Sequence, residues 1–176
     1  MNVVKVLRAC EKALLWNETV YLYKEDGQHD SAIRTMIEHT VAFQQKLFLE
    51  CVVKVRNPEV QYKAISFYIL QHPLSLGRLL QALTPHLDHA RVVHLLRKNE
   101  ALPLAVEYMR SVQKENLSVV NEALNEISVL EEDFEGLRTS IDDYDNFDQL
   151  HLAQKVKQLF SIILSKFIQS FSYETI

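Results

Sequence analysis

Glycine and proline are scarce in this chain: three and four among 176 residues. A sheet protein of this size needs many tight turns, and tight turns draw on both residue types. Their scarcity points to helices joined by short connections. Cysteine is equally sparse. Cys10 and Cys51 both sit inside apolar helical patterns, which fits small buried hydrophobes in a reducing compartment better than a disulfide. Long apolar runs are missing as well. No stretch reaches the ~18 uninterrupted apolar residues of a membrane span, and Lys5 and Arg8 break any leader-like run at the start. The expectation is a cytoplasmic chain without direct membrane insertion.

What is present is apolar side chain at helical spacing. Hydrophobic residues make up 48% and charged residues 24%, enough to build a core on a normally charged surface. Val3, Leu7, Cys10 and Leu14 form one helical stripe, and Ala32, Ile33, Met36 and Ile37 another. Leu104, Ala105, Tyr108, Met109 and Val112 repeat the pattern, as do Val119, Val120, Ala123, Leu124 and Ile127. No strand-like alternation stands out.

The breaks read as helix ends. Asn57-Pro58 has the form of an N-cap followed by proline in the first turn, and Thr84-Pro85 has the same form. Pro73 and Pro103 fall at further boundaries, and Gly27 and Gly77 at the edges of apolar runs. Ser118 is positioned to cap the helix carrying Val119 to Ile127, and Asp145 or Asn146 the last helix. Ten or eleven helices of roughly 10–15 residues follow, with neighbours antiparallel. Many similar hairpins predict an all-α, α-α solenoid rather than a closed bundle.

Chemistry is hard to find. Net charge is −4, which does not favour nucleic acid. His29-Asp30 is an HD pair, as in helical metal phosphohydrolases, but no histidine precedes it to complete that ligand set. His86 and His89 are three apart and could face one ion; His94 points elsewhere, and zinc would want more ligands. Asp143, Asp145 and Asp148 imitate a calcium loop, yet the sixth and twelfth positions hold Asp148 and Gln154 instead of glycine and glutamate. Phosphate-cradling glycine motifs are missing. The reading is no enzyme, no cofactor and no metal, with the HD hydrolase as a remote alternative. Residues 115–148 carry eleven acids against Arg138 alone. That block is either a solvated face or a docking surface for a basic partner.

Local strings add to this. VLRACEKALLW at 6–16, YLYKEDGQHDSAIRTM at 21–36, NPEVQYKAISFYI at 57–69, LDHARVV at 87–93 and LPLAVEYMRSVQKEN at 102–116 resemble the clathrin heavy chain. SVVNEALNEI at 118–127, EEDFEGLRTSIDDYDNFD at 131–148 and LAQKV at 152–156 continue the resemblance in order and with matching gaps. The resemblance implies a right-handed solenoid of short antiparallel helix hairpins over residues 1–156, part of the proximal leg of a coat scaffold. Implied partners are clathrin light chain and other heavy-chain legs, on coated vesicles and coated pits. The family's β-propeller, distal leg and trimerisation helix have no counterpart here, so the chain could instead act as a competitor of coat assembly or be a non-functional fragment. Where the family has His-Pro and a nearby Trp, this chain has His39-Thr40 and Phe43. After Val156 the likeness fades. Residues 157–176 keep a helical stripe of Phe160, Ile163, Leu164, Phe167, Ile168 and Phe171, which either covers the last hairpin or is foreign to the family.

Overall fold

One cap signal translates directly into a helix start. Asn57 accepts a hydrogen bond from the Glu59 amide at 3.0 Å, with Pro58 opening the helix behind it. Asp88 does the same for the Arg91 amide at 3.1 Å, and Asp133 for the Gly136 amide at 2.9 Å. The computed structural model describes the backbone of residues 3–173 and side chains through residue 165.

Among the described residues there are eleven α-helices and no strand. They are α1 (Val3–Lys12), α2 (Trp16–Glu25), α3 (His29–Glu38), α4 (Gln45–Val52), α5 (Pro58–Gln71), α6 (Leu76–Leu83), α7 (His89–Lys98), α8 (Val106–Val112), α9 (Ser118–Leu130), α10 (Phe134–Asp143) and α11 (Gln149–Tyr173). Short 3-10 turns precede or follow several of them. The chain falls into two compact units, residues 1–105 and 106–176.

In the first unit successive helices pack in sequence: α1 on α2, α2 on α3, α3 on α4, then α5 on α6, with α5 also meeting α3 and α7. The stripes of the later helices face inward, but of Val3, Leu7, Cys10 and Leu14 only Leu7 is buried, and Leu14 falls beyond the end of α1 and is exposed. Ala32, Ile33, Met36, Phe48, Ile65, Leu76, Leu79, Leu80 and Leu83 are fully buried. In the second unit α9 is the central element and touches α8, α10 and α11. Its Val120, Ala123, Leu124 and Ile127 are buried as the spacing requires.

Helix ends are closed in a way the glycine count did not suggest. Leu14, Glu100 and Glu132 adopt left-handed backbone with φ of 57, 56 and 59°. Gly27 does so at 73°. Each sits in the same pair of bonds. Leu15 N–H reaches Cys10 O at 2.9 Å while Leu14 N–H reaches Glu11 O at 3.1 Å, and the pattern recurs after α2, α7 and α9. Three of these four Schellman closures therefore use a side-chain-bearing residue where glycine is the unstrained choice.

Several expected boundaries move. Thr84-Pro85 does not start an α-helix. It forms a 3-10 turn on the end of α6, with the Thr84 hydroxyl donating back to Leu80 O at 2.8 Å. Ser118 is the first residue of α9 and Leu117 holds the cap position without a side-chain bond. The last helix is capped by Asp148, whose carboxylate accepts from the His151 amide at 2.8 Å. Asp145 and Asn146 are occupied elsewhere, as described below. Gly77 lies inside α6.

Candidate docking surfaces

The sequence-derived metal candidates do not converge. His29 and Asp30 are both in the first turn of α3; Asp30 accepts from the Arg56 amide at 3.2 Å. His29 has its pKa lowered, first by burial and then by the charge of Lys54. His86 belongs to the 3-10 turn after α6 and is exposed, whereas His89 opens α7 and is buried. The two are therefore not on one helix, and His94 is exposed further along α7. Among the described residues no group of three His, Cys, Asp or Glu side chains could hold an ion. Cys10 and Cys51 are both free thiols. Cys51 is buried, and burial pushes its pKa up.

The acidic loop serves structure. Asp148 caps α11, and Asp145 accepts from Asn116 Nδ2 at 3.1 Å. Asn116 itself stands in left-handed backbone, φ 51°, where asparagine is tolerated. Its carbonyl accepts from Asn146 Nδ2 at 2.8 Å. Buried Asn121 donates to Asn116 Oδ1 at 2.8 Å and to Asn146 O at 3.1 Å. These asparagines bolt the loop before α11 onto the start of α9. A second chain runs from Gln113 Nε2 to Ser140 Oγ at 3.1 Å and from Ser140 to Asn125 Oδ1 at 2.9 Å.

Around His39-Thr40 and Phe43 the loop is a 3-10 turn over Thr40–Ala42. His39 stacks face to face on Trp16 with centroids 3.5 Å apart. Phe43 stacks on His72 at 4.2 Å and contacts Phe48, Phe67 and Tyr68. An aromatic core thus fills the position.

Two concavities offer surfaces for partners. In the first unit, Val6, Cys10, Tyr21 and Leu22 line a shallow apolar groove between α1 and α2 of about 450 Å³. In the second unit, Leu137 and Ile141 of α10, Phe147 of the loop, and Leu152, Ala153 and Val156 of α11 line a larger one of about 670 Å³. Asp142 and Lys157 stand on its walls. Further along α11, Phe160 stacks on Phe134 at 5.5 Å, yet Phe160, Ile163 and Leu164 keep 53, 37 and 60% of their area exposed. The helical stripe is present up to Leu164, with Phe160 against Phe134 of α10; the side chains of Phe167, Ile168 and Phe171 lie outside the described residues. Sequence reasoning missed the α10–α11 groove. Its signal was present in Leu137 and Ile141, four apart, facing Leu152 and Val156, also four apart. No helix among the described residues is long and apolar enough to cross a membrane.

Comparison with known proteins matches this architecture. The family described as "Clathrin: Region in Clathrin and VPS" matches residues 1–76 and 80–168. The chain is similar to the probable clathrin heavy chain of Schizosaccharomyces pombe, 41% identical over 158 residues. It is 46% identical over 159 residues to the clathrin heavy chain of Drosophila melanogaster and to clathrin heavy chain 2 of Homo sapiens. In each case 90% of this chain aligns with 10% of the relative, so the chain spans about a tenth of the length of these heavy chains. Helices packed in sequential pairs, matched nearly end to end by this repeat, establish that the chain belongs to the clathrin heavy-chain repeat family.

Proposed function

We propose that this chain is a non-enzymatic scaffold segment of a clathrin coat, acting by shape and surface in vesicle-mediated transport. The observation that carries the reading is the family match over residues 1–76 and 80–168, supported by 41–46% identity to clathrin heavy chains. The finer reading is a proximal-leg segment. It packs against other heavy-chain legs and holds a helix of clathrin light chain, in the cytoplasm and peripherally on coated vesicles and coated pits. Residues 1–156 form the repeat-like part and 157–176 a segment divergent in sequence. Repeat solenoids present long faces to partner helices, where a few buried apolar anchors set affinity and a charged rim sets specificity.

Isothermal titration of the full chain with clathrin light chain tests the partner assignment. Saturable heat supports it, and a flat titration at micromolar concentrations overturns it. Fluorescently tagged chain should concentrate at coated pits, and a uniform cytoplasmic signal would contradict the localisation.

A further inference from the structure

We propose that the groove between α10 and α11 is a docking site for a cationic amphipathic helix of a partner protein. This inference stands on the second unit alone and does not depend on light-chain binding. The groove is apolar at its floor, with Leu137, Ile141, Phe147, Leu152, Ala153 and Val156, and its volume of about 670 Å³ accommodates several large side chains. Apolar helix faces are recognised in grooves of this kind through anchors spaced three and four residues apart. The exposed Phe160, Ile163 and Leu164 extend the apolar track along α11.

Charge decides among occupants. Residues 106–176 contain thirteen acids and six bases, a net charge of −7, while residues 1–105 carry +3. A second copy would bring one unit of −7 against another, and an anionic membrane would meet the same repulsion. A basic helix gains on both counts, since its apolar face fills the floor and its cations meet the acids around it. Asp142 stands on the groove wall with 70% of its side chain exposed, held only loosely by Arg138 at 3.9 Å. Asp145 and Asp148 lie in the loop that joins the two helices. Each carboxylate accepts one hydrogen bond, from Asn116 Nδ2 and from the His151 amide, which leaves it further acceptor capacity. Lys157 is the cation on the opposite wall.

The test uses the full chain and a fluorescent Leu/Lys amphipathic peptide of about four helical turns, read by anisotropy. Two controls are a scrambled peptide of the same composition and a Leu/Glu counterpart. Saturable binding, weakened by salt and at least about tenfold tighter than either control, is the expected result. Ile141→Asp should weaken it about tenfold or more, and Asp142→Lys should weaken it to a smaller extent. Lys157→Glu should tighten it, a gain that a misfolded variant cannot imitate. Equal binding of the scrambled peptide, or indifference to Ile141→Asp and Lys157→Glu, would overturn the proposal. So would self-association in ultracentrifugation that excludes the peptide. Failure here with intact light-chain binding would leave the scaffold reading standing.

Discussion

The guanidinium of Arg91 lies 3.8 Å above the ring of Tyr62. The same group brackets Glu59 with contacts of 2.8 and 2.9 Å, so one side chain of α7 grips two of α5. The Tyr62 hydroxyl in turn accepts from the Asp88 amide at 3.2 Å, beside the N-cap of α7. A planar fork can stack and chelate at once; an ammonium cannot. Arg91→Lys should therefore lower the melting temperature despite keeping the charge, and a salt titration should erase part of the difference. The hydrogen bond from Arg91, with its charge, holds the Glu59 carboxyl below its ordinary value. A depressed carboxyl contributes stability above its unfolded pKa and loses it as pH falls through the folded one. Glu59→Gln should accordingly flatten the acid side of the stability profile, measured by urea unfolding across pH.

Tyr68 tests the opposite limb. It is fully buried among Phe43, Phe48 and Phe67, and its hydroxyl has no hydrogen-bond partner. Burial pushes its pKa up to about 12 from 10.0. A raised tyrosine pKa means stability that is complete below pH 10 and is lost as pH rises toward the folded value. Tyr68→Phe removes an unpaired buried hydroxyl and should raise unfolding free energy by about 1 kcal/mol. It should also reduce the alkaline loss in the same urea series.

Left-handed helix ends offer a cheap gain. Leu14, Glu100 and Glu132 hold φ near +57° with a Cβ in place. Replacing any one by glycine should stabilise the fold by about 0.5–1 kcal/mol, the relief of strain less the added chain entropy. Gly27→Ala should cost about 1 kcal/mol for the converse reason. Thermal unfolding of the four single variants measures both signs.

Asn121 is the bolt of the second unit. Truncation to alanine removes, from a buried position, its hydrogen bonds to Asn116 and Asn146. A loss of about 1–3 kcal/mol is expected. Hydrogen exchange should quicken over residues 144–149 more than in α5, which belongs to the other unit.

Particular residues show where local reading succeeds. Asn57 was legible as a cap because a cap is a short-range matter: an acceptor, an extended backbone and an amide two residues on. The stripe Ala32, Ile33 and Met36 was legible because burial of a helix face imposes its own period. At the end of α10, however, Asp145, Asn146 and Asp148 compete for one cap, and all three have suitable chemistry. Asp148 takes it because Asn116 and Asn121, about thirty residues earlier in the chain, engage Asp145 and Asn146.

Sequence alone determined that the chain is helical, where α5 begins, and which repeat family it belongs to, since periodicity and ordered local strings are written within a few turns of each other. Tertiary structure alone decided which of several equivalent acids caps α11, which helix ends accept left-handed leucine or glutamate, and which apolar residues remain uncovered. Ile141 and Ile127 look alike in sequence; one lines an open groove and the other is buried. The difference lies in whether a neighbouring helix covers that face, and contacts between elements distant in sequence leave no period behind in the residues that make them.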